Sequence, residues 1–181
     1  MDFDFLERRP IVIAIAGSNG AGKSTFFATQ LVDSGLRFVN ADEVARELNI
    51  GPYEAAETAG AIRAALIERR ESFVFESVLS DPVGEKVEQL AQYAVSGYGV
   101  VMIFIRINDS ATSIQRVSMR ASQGGHDVPD EKLKARFSRT QANLARAIER
   151  LPHVLIFDNS DLSHPYRLTE RYQNGELVEI P

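Results

Sequence analysis

The chain contains no cysteine and no tryptophan, and only three of its 181 residues are histidine. Without cysteine there can be no disulfide, no thiol nucleophile and no zinc–thiolate site. No apolar run approaches the ~18 residues of a membrane-spanning helix. The first ten residues, MDFDFLERRP, are acidic where a signal peptide carries cations. We therefore expect a cytoplasmic protein with no membrane partner.

Excess positive charge is also missing. The formal net charge is −5 at pH 7, whereas a protein that binds nucleic acid usually presents a basic face. Nucleic acid is therefore not the expected partner. Among the 20 basic residues, 16 are arginine and 4 are lysine, and the planar guanidinium group suits the oxygens of a phosphate.

One short segment is rich in glycine. Residues 17–24 read GSNGAGKS and directly follow the apolar run Ile11–Ala16. This is the phosphate-binding P-loop pattern G-x-x-x-x-G-K-[ST], in its required place between a strand and a helix. Its amides and the helix dipole favour phosphate, Lys23 adds a positive charge, and Ser24 offers a hydroxyl to Mg²⁺. The pattern predicts an ATP and Mg²⁺ site whose nucleotide contacts are Gly17, Ser18, Asn19, Gly20, Ala21, Gly22, Lys23, Ser24 and Thr25.

Two other nucleotide sites fit the sequence less well. A dinucleotide-binding G-x-G-x-x-G motif that starts at Gly20 would need glycine at position 25, where Thr25 stands. A GTP-binding switch or a non-catalytic nucleotide module is a further hypothesis. However, the chain has no Asn-Lys-x-Asp motif to read guanine.

Apolar strands alternate with helical segments along the whole chain. We expect a helix over 23–32 after the P-loop, and another that Asp81-Pro82 opens. This alternation predicts an α/β fold with three layers, of the P-loop NTPase and kinase type, with a mostly parallel five-stranded sheet. The dipeptide Asn174-Gly175 favours a tight turn and predicts a C-terminal hairpin over 166–180. We expect one domain over 1–181, with a lid-like region at about 109–137.

Polar residues at the carboxyl ends of the predicted parallel strands are candidates for chemistry, because ligands bind there in such folds. Strand two ends at Asp42 and strand three at Glu76 and Ser77. Transfer of a phosphoryl group from ATP to a hydroxyl needs a carboxylate that orients or deprotonates the acceptor. We predict Asp42 as that base, and Glu76 with Ser77 as substrate contacts. Glu76 and Ser24 are the predicted Mg²⁺ contacts. Alternatively, Asp42 is only a helix cap, and Glu76 only an exposed carboxylate.

Arginines in the predicted lid form a second group of candidates. Arg116 and Arg120 lie four residues apart on one helix face and could clamp the γ-phosphate. Gly124-Gly125 next to them has the composition of a hinge. With Lys23 and Asp42, this pair completes the predicted catalytic set. Arg136 is a predicted substrate contact, and Arg139 a weaker candidate beside it.

The segment Asp158-Asn159-Ser160 follows the last predicted parallel strand. Asn159 could contact the nucleotide, or the segment could form an Asx turn, and the residues do not decide between them. The same strand could end in a Mg²⁺-holding aspartate, Asp158, as in ABC-type ATPases. Residues 122–126 also weakly match the ABC signature, but Asn159 stands where that mechanism needs a glutamate. His126 has no neighbouring metal ligands in the sequence.

Several motifs occur together in an order that resembles the zeta-toxin-like kinases. They are the P-loop with Asn19, FVNADE (38–43), FESVLS (75–80), Arg116 with Arg120, GGHDVP (124–129), Arg136-Phe137 and FDNS (157–160). The resemblance implies a P-loop kinase in which Asp42 is the catalytic base and Glu76 contacts the substrate. It further implies that Arg116 and Arg120 bind the transferred phosphate.

The best-known members of this family phosphorylate the 3′-hydroxyl of UDP-N-acetylglucosamine and related UDP-amino sugars. The resemblance therefore implies a small-molecule acceptor of this nucleotide type and adds an antitoxin protein as a candidate partner. The chain is short for the larger toxins, and residues 51–58 do not match their sugar-nucleotide region. The acceptor is thus the least determined part of the prediction.

Overall fold

A seven-stranded sheet organises the structure, a computed structural model that describes residues 4–123 and 128–180. The strand order is β2-β3-β1-β4-β5-β6-β7. The first five strands in this order are parallel, and β6 and β7 are antiparallel. The strands are β1 Ile11–Ala16, β2 Arg37–Val39, β3 Phe73–Ser77, β4 Gly99–Arg106, β5 His153–Asp158, β6 Arg167–Gln173 and β7 Glu176–Val178.

Helices cover the sheet on both sides, which confirms the three-layer α/β prediction. The sheet and its helices build two apolar clusters from alternate residues of β1. Val12 and Ala14 face the first cluster, whereas Ile11 and Ile13 face the second. The helices are α1 Lys23–Phe26, α2 Ala41–Leu48, α3 Pro52–Glu68, α4 Glu85–Val95, α5 Ser110–Ser122 and α6 Asp130–Arg150.

The C-terminal hairpin corrects the predicted size of the sheet. The prediction of five parallel strands and a turn at Asn174-Gly175 is confirmed, and both turn residues have positive φ values of 50° and 86°. The hairpin is not separate, however. Its strand β6 pairs with β5, so the sheet has seven strands rather than five. An edge strand has unpaired backbone groups, and β6 supplies partners for those of β5.

Two helices differ from their predicted bounds. The helix predicted over 23–32 is α-helical only to Phe26 and continues as a π-helical turn, Phe27–Leu31, and a 3₁₀ turn, Val32–Ser34. Helix α4 begins at Glu85, not at the predicted Asp81-Pro82, although Asp81 Oδ1 still accepts a hydrogen bond from the Glu85 amide at 2.6 Å.

The predicted lid region is only partly described. Its helices α5 and α6 are present, and Asp109 caps α5 by accepting a hydrogen bond from the Thr112 amide. The proposed hinge Gly124-Gly125 and His126 lie outside the described residues. No helix in the described part of the chain is both long and apolar enough to cross a membrane.

Candidate active site

The P-loop lies between β1 and α1, at the carboxyl end of the central strand. Gly17, Gly20 and Gly22 have positive φ values of 146°, 72° and 94°. A Cβ atom on Gly17 would lie 2.5 Å from the Ile105 carbonyl oxygen. Only glycine fits these positions without strain. The tight loop leaves the first amides of α1 free of helical partners and available to an anion.

Lys23 is buried beneath this loop, with 5% of its side chain exposed. Its Nζ donates a hydrogen bond to the Ser18 carbonyl oxygen at 3.0 Å and lies 3.7 Å from Glu76 Oε1. Burial lowers the pKa of Lys23; Glu76 and Asp42 oppose this, and the charge of Arg120 adds to it. These four charged groups therefore lie near one another.

Glu76 contacts three other side chains of the site, including Lys23. Ser24 Oγ donates a hydrogen bond to Glu76 Oε2 at 2.7 Å, and Asn40 Nδ2 donates to the same oxygen at 3.0 Å. Because β3 pairs directly with β1, Glu76 emerges beside the P-loop. The alternative of a merely exposed carboxylate is wrong. Sequence analysis missed Asn40, which is 6% exposed and holds Glu76 in place.

Asp42 lies in the first turn of α2, and the helix-cap interpretation is wrong for it. The cap is Asn40, whose Oδ1 accepts a hydrogen bond from the Asp42 amide at 2.8 Å. Within the described residues the Asp42 carboxylate makes no hydrogen bond or ion pair with another side chain. It therefore stands exposed and available near Lys23.

The loop is braced from two sides by buried groups. Ser113 Oγ of α5 donates to the Asn19 carbonyl at 2.7 Å. Asn159 Nδ2 donates to the Ala21 carbonyl at 2.8 Å, and Tyr166 hydroxyl donates to the Gly22 carbonyl at 2.9 Å. Asn159 is 3% exposed and lies against the loop backbone. Sequence analysis missed Ser113 and Tyr166, because no local pattern reveals such distant contacts.

The two lid arginines have different surroundings. Arg116 Nη2 donates to the carbonyls of Asn159 and Ser160, at 2.9 and 3.1 Å. Arg120 makes no hydrogen bond or ion pair within the described residues, but its charge acts on Lys23. The structure thus brings Arg120 toward the phosphate-binding loop and holds Arg116 against the loop that follows β5.

Asp158 does not fit the ABC-type role. Its strand β5 is separated from β1 by β4. Asp158 Oδ1 accepts a hydrogen bond from the Ser160 amide at 2.9 Å, which is an Asx turn, and Oδ2 accepts one from Arg167 at 3.2 Å. The carboxylate next to Ser24 is instead that of Glu76.

The donor atoms present suit Mg²⁺ bound together with a triphosphate. Ser24 Oγ and the Glu76 carboxylate lie side by side, and Mg²⁺ prefers oxygen ligands while keeping several waters. Within residues 4–123 and 128–180, no three His, Asp or Glu side chains form a metal-binding group. This donor set accords with a metal shared between the protein and phosphate oxygens.

A cavity of about 320 Å³ adjoins Glu76. Two of the predicted substrate contacts, Glu76 and Ser77, line it. The third, Arg136, lies close enough to lower the pKa of Lys86 in the cavity wall, where desolvation is the main cause and Asp81 opposes it. Arg139 is turned instead to the Ser80 carbonyl, at 2.8 Å.

The fold recurs in known structures. The AvrRxo1-ORF1:-ORF2 complex aligns with a TM-score of 0.72 and 17% identity over 97% of this chain and 63% of that one. The PezAT toxin-antitoxin system of Streptococcus pneumoniae aligns with a TM-score of 0.59 and 17% identity over 84% and 69%. Shikimate kinase from Acinetobacter baumannii, solved with shikimate, gives 0.53 and 16% over 77% and 81%. The chain thus spans about three fifths of the AvrRxo1 structure.

Sequence comparison adds one relative and one family. An uncharacterized protein of Haemophilus influenzae is 25% identical over 130 residues, which cover 69% of this chain and 91% of the relative. The sequence profile of the family described as Zeta toxin matches residues 49–170, about two thirds of the chain. Together with the kinase-like fold, this match confirms the resemblance seen in the sequence: the chain belongs to the zeta toxin family.

Proposed function

We propose that this protein transfers the γ-phosphate of ATP, with Mg²⁺, to a hydroxyl group of a small molecule. The observation that supports this most is the free Asp42 carboxylate, which stands near Lys23 and directly follows Ala41 of the cavity wall. A base, a cation and a phosphate-binding loop around one cleft are the parts that phosphoryl transfer needs. An AvrRxo1-ORF1:-ORF2 structure solved with ATP has the same fold.

The reaction follows from where these groups lie. Asp42 accepts the proton of the acceptor hydroxyl, and the oxygen attacks the γ-phosphorus as the bond to the β,γ-bridging oxygen breaks and ADP leaves. Lys23 and Arg120 offset the negative charge on the transferred group. Bound Mg²⁺ would neutralise the β- and γ-phosphates, held through Ser24 and Glu76. Asn40 keeps Glu76 in position for this.

An acceptor screen tests the proposal. Purified protein is incubated with ATP, Mg²⁺ and a panel of UDP-sugars, nucleosides, dinucleotides and small hydroxy compounds, and mass spectrometry reads the gain of one phosphate. The family resemblance makes UDP-N-acetylglucosamine one candidate acceptor. We expect ADP to form faster when an acceptor is present than when it is absent. ATP hydrolysis that no acceptor accelerates would contradict the proposal.

An ATPase switch of the ABC type is one alternative, and one measurement separates it from the kinase. A switch of the ABC type dimerises when it binds nucleotide, so its mass in light scattering would double with ATP. We expect the mass to stay constant. The position of Asp158, away from Ser24, supports this expectation.

An antitoxin protein is part of the same proposal as a candidate partner. It rests on the family match and on the PezAT structure, which is described as a toxin-antitoxin system. Expression of the chain alone should slow growth of its host, and the Asp42→Asn variant should relieve that effect. Equal growth with both proteins would remove the toxin part of the proposal and leave the kinase part standing.

A further inference from the structure

The cavity next to Glu76 is unusual because cations without carboxylate partners form part of its wall. It lies between the carboxyl end of β3, helix α3 and the start of α4, and it has a volume of about 320 Å³. Its lining residues are Ala41, Ala56, Arg63, Phe75, Glu76, Ser77, Glu85, Lys86 and Gln89. It adjoins the Glu76–Ser24 contact, so a molecule inside it would lie next to the end of a bound triphosphate.

Arg63 is the first of these cations. Its guanidinium group lies over the Phe75 ring, 5.0 Å from the ring centroid, and the residue is half-buried. In the part of the chain that the structure describes, it makes no hydrogen bond and no ion pair. A guanidinium group has five N–H donors and stays charged in proteins even where burial, as here, lowers its pKa. The Phe75 ring therefore holds the planar guanidinium group at the cavity wall and leaves its N–H donors without hydrogen bonds to the described residues.

Lys86 is the second cation. Its Nζ donates a long hydrogen bond to Ser77 Oγ at 3.4 Å, and no carboxylate oxygen of the described residues lies within 4.0 Å. The residue is exposed overall, yet it lines the cavity, and desolvation is the main reason its pKa is lowered. Arg63 and Arg136 lower that pKa further, whereas Asp81 and Glu85 oppose them.

Two acidic side chains line the cavity, and one of them is already engaged. Glu76 is paired with Lys23 and accepts hydrogen bonds from Ser24 and Asn40. Glu85 lines the cavity from the exposed start of α4 and has no ion-pair partner among the described residues. The two cations of the wall outnumber this one unpaired carboxylate, so the cavity carries an excess of positive charge that an anion would neutralise.

We propose that the cavity holds the phosphate acceptor, and that the acceptor is a small hydroxy compound whose carboxylate or phosphate group binds Arg63 and Lys86. This inference rests on the proposed kinase function and adds the acceptor's class to it. The volume is at the lower end of the roughly 300–1,000 Å³ of ligand pockets. That size favours an acceptor no larger than a monosaccharide over a sugar nucleotide.

A binding experiment tests the anion site without an identified acceptor. The donor site is first filled with Mg²⁺ and a non-hydrolysable ATP analogue, and inorganic phosphate is then titrated by calorimetry. Arg63→Gln and Lys86→Gln should each weaken phosphate binding about tenfold or more, the loss expected for one charged hydrogen bond. Arg69→Gln, an exposed arginine at the end of α3, is the matched control and should change nothing.

Each result of the titration has one meaning. If the analogue itself does not bind, the proposed function fails. If the analogue binds but phosphate does not, or if both variants bind phosphate as well as the wild type, only the anion site is wrong. Because Arg63 and Lys86 lie on different helices, loss of folding in one variant, seen in its melting temperature, leaves the other as the test.

Matched acceptor pairs then test the substrate class. Glycerate and glycerol 3-phosphate are compared with glycerol, and gluconate with sorbitol, while UDP-N-acetylglucosamine serves as the bulky anionic arm. We expect higher kcat/KM for the charged member of at least one pair, and a KM for it that rises in Arg63→Gln. The inference is wrong if phosphate is transferred only to neutral compounds or only to the UDP-sugar. It is also wrong if no small anionic compound is phosphorylated.

Discussion

At the scale of single residues, the proposed reaction assigns different roles to the carboxylates of Asp42 and Glu76. Asp42 and Glu76 emerge from neighbouring strands, yet only Glu76 is tied down by hydrogen bonds, from Ser24 and Asn40. A carboxylate that must hold a metal benefits from fixed orientation, whereas a base must be free to meet its substrate. The geometry therefore supports the proposed division, with Glu76 at the metal and Asp42 as the base.

Replacing Asp42 by asparagine removes the base and keeps the size of the side chain. We predict a fall in kcat of about 10²- to 10⁴-fold, the usual contribution of general base catalysis, with little change in the affinity for ATP. Steady-state kinetics and calorimetry measure the two quantities. Asp33→Asn, an exposed acid outside the site, is the control. Undiminished turnover in Asp42→Asn would remove Asp42 as the base.

Replacing Glu76 by glutamine should act through the metal instead. The variant keeps an oxygen near Ser24 but loses the charge that attracts Mg²⁺, so the Mg²⁺ concentration for half-maximal rate should rise by about tenfold. A magnesium titration at saturating ATP measures it. An unchanged requirement would show that Glu76 does not help to hold the metal.

Sequence reasoning works at this scale where the chemistry is local. The glycines and Lys23 of the P-loop are readable because their spacing alone makes the cradle. The partners of Arg116 are not, because a long side chain can reach many places. Its contact with the carbonyls of Asn159 and Ser160 depends on how α5 packs against the end of β5.

At the scale of elements, the segments that follow β5 support the P-loop. Asn159 and Tyr166 lie more than 130 positions away in the chain, yet both hydrogen-bond to P-loop carbonyls. A Cβ atom on Gly22 would lie 2.7 Å from the Asn159 amide nitrogen and from the Tyr166 hydroxyl, so the loop and its braces are closely fitted. The shape of the cradle is therefore set in part by the C-terminal third of the protein.

Loss of the Asn159 brace should both destabilise the fold and weaken nucleotide binding. Asn159→Ala leaves the Ala21 carbonyl without its buried partner, which costs about 1–3 kcal/mol in the free energy of unfolding. Urea denaturation measures this, and calorimetry measures the loss of affinity for ATP.

The Tyr166 brace gives a milder and better controlled change. Tyr166→Phe keeps the ring against Phe26, 5.2 Å between centroids, and removes only the hydroxyl, for a loss of about 1 kcal/mol. Tyr53→Phe, at a position that is 87% exposed, is the matched control. Equal stability in both variants would mean that the hydroxyl does not brace the loop.

The order of strands and helices could be predicted, because buried parallel strands are continuous apolar runs. The attachment of the hairpin to β5 could not. It depends on pairings such as Val154 with Tyr172, which are distant in sequence and have no local signature. Helix α4 begins at Glu85 rather than at the predicted Asp81, because Gly84 takes a left-handed conformation with φ of 80° just before the helix.

At the scale of the whole molecule, each end of the sheet has its own group of interacting charges. The cleft at the carboxyl ends gathers Lys23, Arg63, Lys86 and Arg120. At the opposite end His153 stacks on Phe5, 4.1 Å between ring centroids. Burial lowers the pKa of His153, and the charges of Arg171 and Arg8 lower it further.

This histidine should make stability depend on pH. The folded protein keeps His153 neutral in a range where the unfolded chain takes up a proton, so the unfolded state binds more protons below pH 6.5. The free energy of unfolding should therefore fall as the pH drops from about 7 to 5. His153→Gln should show a smaller decrease in melting temperature over that range. The same decrease in both proteins would assign the effect to other groups.

The residues that would bind the acceptor are the hardest part of the molecule to predict from the sequence. Arg63 and Lys86 come from different helices and meet only in the folded chain, and neither belongs to a recognisable motif. The P-loop is a contiguous sequence motif, whereas the residues of a specificity pocket come from scattered positions in the chain. This is why the P-loop could be predicted from the sequence and the cavity next to Glu76 could not.

Nucleotide binding at the P-loop is tested most directly by calorimetry. A non-hydrolysable ATP analogue is titrated, with and without Mg²⁺, into the wild-type protein and into Lys23→Met. We predict binding that requires Mg²⁺ in the wild type and is weakened at least about tenfold in the variant, which lacks the buried ammonium group. Absence of binding at millimolar analogue, or equal binding in the two proteins, would contradict a site in which the loop and Lys23 hold the triphosphate.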